Sequence, residues 1–125
     1  MALGKTPTTL VSNQTITAGG TYVSPSSLDL SGAISLEIGF KGTFDASTNA
    51  GARVEIFSDV TGANSFFTVG TNDDPVDAMD VSYVSGTKAK AAQFICCSKY
   101  IKVKVTNLGS KSMTSVYVYA IPQTQ

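Results

Sequence analysis

Four stretches of the chain alternate hydrophobic and polar residues with a period of two. They are residues 34–40, 52–60, 100–106 and 116–121. Successive side chains on a β-strand point to opposite faces, so each stretch predicts a strand with one buried face. The buried faces together predict eight core residues: Leu36, Ile38, Val54, Ile56, Ile101, Val103, Val116 and Val118.

The last two alternating stretches are separated by residues 107–111, Asn-Leu-Gly-Ser-Lys. A short loop that contains glycine is typical of a β-hairpin. The sequence therefore predicts that these two strands pair directly, as one antiparallel hairpin to which the remaining strands add.

Shorter apolar segments separated by turn residues predict further strands, at residues 10–17, 21–23, 28–30, 65–69, 79–83 and 89–97. Residues 88–94 also allow a helical turn, but no amphipathic helix of any length is present. Eight or nine short strands with frequent turns are typical of an all-β fold. We expect a single antiparallel β-sandwich, jelly-roll or Ig-like, over residues 10–125.

Residues 1–9 are small or polar, contain Pro7 and lack apolar periodicity. They predict an extended N-terminal arm that is ordered only through contacts with another subunit or with a larger assembly, and a disordered end without a role is the alternative. No apolar segment of a signal peptide follows Met1, and no run approaches the roughly 18 apolar residues of a membrane helix. The arm residues Leu3, Lys5 and Pro7 are candidate contact residues.

The charge of the chain is low overall and uneven along its length. Charged residues make up 14% of the sequence, against about 25% in typical domains. Residues 1–80 hold nine acidic and three basic residues, a net charge of −6, whereas residues 81–125 hold six lysines and no acid, +6. Because the basic half has no arginine and its strands are expected to interleave with acidic ones, we do not expect nucleic-acid binding.

The sequence offers little catalytic chemistry. It contains no histidine, which removes the usual general base and the nucleophile pairs that depend on it. Phosphate-binding glycine loops and the nucleophile-elbow motif are also absent. Paired carboxylates remain as the basis of a hydrolase, but both glutamates fall on predicted outward positions. We therefore expect a protein that is not an enzyme and needs no cofactor.

Two small clusters have alternative interpretations. Asp73, Asp74, Asp77 and Asp80 are hard oxygen ligands close in sequence, but their spacing does not match a calcium loop, so solvated loop carboxylates are the favoured interpretation. The adjacent cysteines, residues 96 and 97, point to opposite faces of a strand. They are expected to be free thiols made in a reducing cytoplasm.

Tyrosines and lysines on the outward positions of the last two strands form a candidate interface. Its residues are Tyr100, Lys102, Lys104, Tyr117 and Tyr119. Tyrosine is enriched in contact surfaces between proteins, and tyrosine rings also stack on sugar rings. Packing beneath a crossing loop is the third interpretation that the sequence leaves open.

The chain resembles small β-sandwich proteins of tailed bacteriophages, namely head decoration (cement) proteins and related head or tail accessory proteins. The resemblance lies in T-I-T-A-G-G-T-Y-V-S (15–24) leading to S-L-D-L-S-G (27–32), in A-R-V-E-I-F-S-D-V-T-G (52–62), and in K-Y-I-K-V-K-V-T-N (99–107) followed by V-Y-V-Y-A-I (116–121). These segments are spread over most of the chain.

The resemblance implies a virion structural protein, most simply a decoration protein that binds and stabilises the capsid. Its partners would be the major capsid protein or other virion subunits, and it would form a homo-oligomer without a small-molecule substrate or a membrane. The alternatives are a carbohydrate-binding β-sandwich module, in which Tyr117 or Tyr119 holds the sugar, and a neck or tail accessory protein.

Overall fold

The computed structural model describes residues 7–58, 74–95 and 99–124. Within these residues the chain forms nine β-strands and no helix, which confirms the all-β prediction. The strands are β1 (Thr8–Ile16), β2 (Thr21–Val23), β3 (Leu28–Asp29), β4 (Ala33–Phe44), β5 (Ala52–Ser58), β6 (Asp77–Val81), β7 (Gly86–Ile95), β8 (Tyr100–Asn107) and β9 (Met113–Thr124).

The strands form two antiparallel sheets that face each other. Sheet I has the order β1-β9-β4-β7, and sheet II has the order β2-β8-β5-β6, with β3 also paired to β8. The interruption between β2 and β3 contains Pro25, as the sequence predicts, since proline cannot donate to the ladder. Counted as one interrupted strand, β2 and β3 complete two four-stranded sheets, and the strand order is that of a jelly roll.

The predicted hairpin is wrong. Strand β8 pairs with β2, β3 and β5 in sheet II, whereas β9 pairs with β1 and β4 in sheet I. The connection between them therefore crosses from one sheet to the other. Both strands bury a valine-rich face in the same core, but from opposite sides, and alternation alone does not distinguish two strands side by side from two strands face to face.

The core lies between the two sheets, and all eight predicted core residues are buried in it. Ile38, Val103, Val116 and Val118 have no exposed surface. They come from both sheets, which is the sheet-on-sheet packing expected of a sandwich. The prediction of inward faces is therefore confirmed for all four strands.

Two residues depart from the predicted alternation. Ile34 is 51% exposed because it lies at the start of β4, before the pairing with β7 begins at Ser35. Phe57 pairs with Lys102 of β8 on the outward face of sheet II and lies outside the core cluster. Its side chain is nevertheless only 1% exposed. The ammonium group of Lys104 lies 5.4 Å from the centre of its ring, a distance that allows a cation–π contact.

Asn107 holds the corner where the chain passes from sheet II to sheet I. Its side chain is 1% exposed, and its amide nitrogen donates to the carbonyl oxygens of Ile16 at 2.9 Å and Lys111 at 2.8 Å. Its amide oxygen accepts from the backbone N–H of Gly109 at 3.0 Å. One side chain thus satisfies three backbone groups of the corner, which a buried turn requires.

The acidic and basic parts of the chain interleave, as predicted. In sheet II, Glu55 of β5 lies 3.7 Å from Lys104 of β8. In sheet I, β4 runs between β9 and β7, both from the basic part. No helix long and apolar enough to cross a membrane occurs in residues 7–58, 74–95 and 99–124.

Candidate functional site

The fold divides the predicted interface residues between two opposite surfaces. Tyr117 and Tyr119 lie on β9 and face outward from sheet I, whereas Tyr100, Lys102 and Lys104 lie on β8 and face outward from sheet II. The sequence placed them on one face because it predicted a hairpin. The structure thus does not bring the two groups together.

The two tyrosines of sheet I form an ordered pair. Their rings are parallel to within 2°, and the ring centres are 6.0 Å apart. Both side chains are half-buried. Tyr119 pairs across the sheet with Gly39 of β4, and Gly39 pairs with Ala91 of β7. The neighbouring row runs from Tyr117 to Lys41 and then to Ala89.

A shallow groove of about 370 Å³ lies beside Tyr119. Tyr119 forms one wall of the groove. The small residues Gly39, Ala89 and Ala91 form its floor and its β7 side. Lys41 lines one end. Pockets for small ligands have volumes of about 300–1,000 Å³ and combine apolar lining with a few polar groups, so this groove is of a suitable size.

Gly39 has no structural reason to be glycine. A β-carbon at this position would meet no atom within 4 Å. At Gly42, by contrast, a β-carbon would lie 2.8 Å from the ring of Phe40. Glycine weakens the interior of a strand and marks positions where another group approaches the backbone closely. A glycine within the alternating stretch 34–40 is the sequence signal for this groove.

The outer face of sheet II is engaged in contacts within the chain. Lys104 and Glu55 are 14% and 18% exposed in their side chains, and Lys104 also lies over Phe57. The ammonium of Lys99 lies 5.5 Å from the centre of the Tyr100 ring. Tyr100 and Lys102 are half-buried.

The end of the sandwich from which the arm leaves carries exposed apolar residues. Pro7 is exposed, and β1 begins at Thr8, so the strand includes the last two residues of the predicted arm. Ile34 is 51% and Ile95 is 86% exposed, and Ile95 pairs with Ser35, the residue after Ile34. Leu3 and Lys5 lie outside the described residues.

The start of β1, where the arm joins the sandwich, lies close to sheet II. Thr8 and Leu10 of β1 line a small cavity of about 130 Å³ together with Pro25 and Leu28. Strand β3, which contains Leu28, pairs with Ile101 and Tyr100 at the start of β8. The base of the arm, the two exposed isoleucines and the start of β8 therefore lie at one end of the sandwich, which we call the arm end.

The acidic cluster is partly neutralised by neighbouring cations. Asp80 accepts a hydrogen bond from Arg53 at 2.8 Å, and this bond lowers the pKa of the Asp80 carboxyl group. Lys90 of β7 donates to the backbone carbonyl of Asp80 at 2.6 Å and so links the edges of the two sheets. Among the described residues no three potential ligands come together to hold a metal ion; Asp73 and both cysteines lie outside them.

The fold defines a class: a small jelly-roll β-sandwich. No protein-family model matches the sequence, and no curated protein matches it either.

Solved structures nevertheless share the fold. The infectious bursal disease virus VP2 subviral particle is similar with a TM-score of 0.55 and 14% identity, over 98% of this chain and 33% of that one. A carbohydrate-binding module of Cellvibrio mixtus lichenase 5A, solved with cellotriose, is similar with a TM-score of 0.52 and 9% identity, over 94% and 86%.

A third similar structure belongs to Bacillus endospore appendages, described as disulfide-linked pili, with a TM-score of 0.51 and 9% identity over 100% and 93% of the two chains. At such identities the likeness shows the fold alone. It confirms the predicted β-sandwich, and the function has to be argued from the surfaces of this chain.

Proposed function

We propose that this protein is a virion structural protein that attaches to the particle through its arm end. The observation that carries the proposal is the exposure of two large aliphatic side chains there, Ile34 at 51% and Ile95 at 86%. Ile95 faces outward from sheet I and Ile34 lies on the inward side of β4 at the end of the sandwich, and large apolar side chains exposed at one end of a domain are typical of surfaces that bind other proteins. The proposed partner is the major capsid protein or another virion subunit.

The position of the arm supports the same surface. Strand β1 is an edge strand of sheet I, and the predicted arm precedes it at Thr8. An extended segment that leaves a sheet edge can add to the sheet of a neighbouring subunit through its backbone groups. The two isoleucines and the arm would then contact the particle together, and neighbouring copies on a symmetric shell would form the homo-oligomer.

The proposal includes no catalytic step, cofactor or nucleic acid. The sequence has no histidine, and Asp80, in the densest acidic segment, is already paired with Arg53. Part of the infectious bursal disease virus VP2 subviral particle is similar in fold, which is consistent with a role in the virion without identifying the partner. The same attachment would serve a head decoration protein or a neck or tail accessory protein.

The test compares the double variant Ile34→Ser/Ile95→Ser with Leu108→Ser. Leu108 is 50% exposed and follows β8 at the opposite end of the sandwich, so it is a matched apolar-to-polar control. Particles assembled without this protein are mixed with each variant and sedimented. We expect the double variant to bind at least about tenfold more weakly, since buried aliphatic anchors dominate interface energy.

The control variant should bind as the parent chain does, and both variants should keep the melting temperature of the parent because the substituted side chains are exposed. Undiminished co-sedimentation of the double variant would exclude the arm end as the attachment surface. Failure of the parent chain to sediment with head, neck or tail particles would exclude the virion role itself.

A further inference from the structure

We infer that the outer face of sheet I is a binding site for a neutral saccharide chain, with one pyranose ring seated in the groove at Gly39. This site goes beyond particle attachment, because it lies at the middle of the outer face of sheet I, whereas Ile95 lies at the end of that face. Its walls come from three strands: β9 supplies Tyr119, β4 supplies Gly39, and β7 supplies Ala91.

The missing side chain at Gly39 creates the space for the ligand. Gly39 sits within β4, which is paired on both sides with β9 and β7. Glycine costs strand stability at such a position, and no neighbouring atom excludes a β-carbon there. The fold therefore does not need this glycine, whereas a ring that approaches the backbone of the sheet does need it.

The tyrosine pair supplies the apolar wall. Aromatic faces carry a negative quadrupole and attract the positive edges of C–H groups, and pyranose rings present such C–H groups on their faces. Tyr117 and Tyr119 are held parallel by their positions two residues apart on one strand. Ala91 continues the row beyond Gly39 with a small side chain, so a saccharide chain can extend over the β7 edge.

The polar groups around the groove favour a neutral ligand with many hydroxyls. Lys41 and Lys90 line the groove, and Glu37 lies two residues before Gly39 on the same outward face. Gln93 pairs with Glu37 and adds an amide that both donates and accepts. These donors and acceptors fit sugar hydroxyls, which both donate and accept hydrogen bonds.

The probes are four soluble neutral polysaccharides, namely mixed-linkage β-glucan, xylan, galactomannan and dextran, each cast into a native gel. We expect the parent chain to be retarded by at least one of them. Tyr119→Ala removes the wall and Gly39→Leu fills the groove, and each should weaken retention at least about tenfold. Tyr119→Phe keeps the ring and should retain most of the binding.

The matched control is Tyr83→Ala, which removes a 50% exposed tyrosine that follows β6 of sheet II. It should be retarded like the parent. Gly39→Leu should fold with an unchanged or higher melting temperature, because the space is open and leucine suits a strand better than glycine. Isothermal titration with oligosaccharides of the retained polymer should show the same order of affinities.

Several outcomes would overturn the inference. No retardation in any of the four gels would do so, as would retardation that survives both Tyr119→Ala and Gly39→Leu. A Tyr119→Ala variant that loses self-association in light scattering, with no effect on sugar retention, would assign the face to contacts between copies instead. The particle assay separates the two proposals, since Tyr119→Ala should sediment with particles normally and Ile34→Ser/Ile95→Ser should still bind the sugar.

Discussion

Replacing Ile38 with alanine is expected to lower the free energy of unfolding by about 2–4 kcal/mol, the usual cost of removing a buried isoleucine side chain. Ile38 has no exposed surface and lies in β4 between Ala120 of β9 and Ala92 of β7. Both neighbours are small, so they cannot fill the cavity by adopting other rotamers. Chemical denaturation followed by far-ultraviolet circular dichroism measures the loss.

Ile34→Ala is the matched control, because it makes the same substitution on the same strand at a side chain that is 51% exposed. It should cost less than about 1 kcal/mol, since little apolar surface is lost from the core. Equal losses at the two positions, or a loss within about ±0.5 kcal/mol at Ile38, would show that β4 does not present Ile38 to the core.

Replacing Asn107 with alanine is the second change with a large expected effect, a loss of about 2–4 kcal/mol in unfolding free energy. The amide of Asn107 serves the carbonyl oxygens of Ile16 and Lys111 and the backbone N–H of Gly109. Alanine leaves these groups without their partner at a corner where the side chain is 1% exposed. When a buried group loses its hydrogen-bond partner, its full desolvation free energy is subtracted from the stability of the folded state.

Asn49→Ala is the control for the corner. Asn49 is exposed, and its amide oxygen accepts one hydrogen bond, from the backbone N–H of Ser110 at 3.0 Å. Water can replace that bond, so the expected cost is less than about 1 kcal/mol. Hydrogen exchange gives a second measurement, because only Asn107→Ala should speed exchange of the Gly109 amide. Similar stabilities of the two variants would contradict the role of Asn107 as the polar centre of the corner.

The two proposed surfaces have different physical bases and lie on different parts of the sandwich. The arm end exposes branched aliphatic side chains, which gain mainly from removal of water and suit a protein partner. The groove on sheet I combines an aromatic wall with the polar side chains of Lys41 and Lys90, which suits a hydroxyl-rich ligand. Ile95 lies at the end of the outer face of sheet I, in the same strand as Ala91 of the groove, so attachment through the arm end would cover one end of the face that carries the groove.

The sequence by itself determined the strands and their inward faces. Alternation is a local property, and it placed Leu36, Ile38, Val54 and Ile56 inward because side chains reverse direction at every residue of a strand. Pro25 marked the interruption between β2 and β3 for an equally local reason, its missing N–H. The alternation predicted Ile34 to be buried, but it is exposed because burial at the end of a strand depends on how far the neighbouring strand extends.

Only the tertiary structure decided which strands are neighbours. Residues 100–107 and 116–121 have the same alternation whether they pair in one sheet or face each other across the core, and the buried amide of Asn107 supports the second arrangement at the corner. That choice placed Tyr119 away from Tyr100 and beside Gly39, with Ala91 in the next strand. The groove exists because three residues distant in sequence lie in one row across the sheet. The strand order sets such rows, and it depends on contacts between segments rather than on the pattern within any one segment.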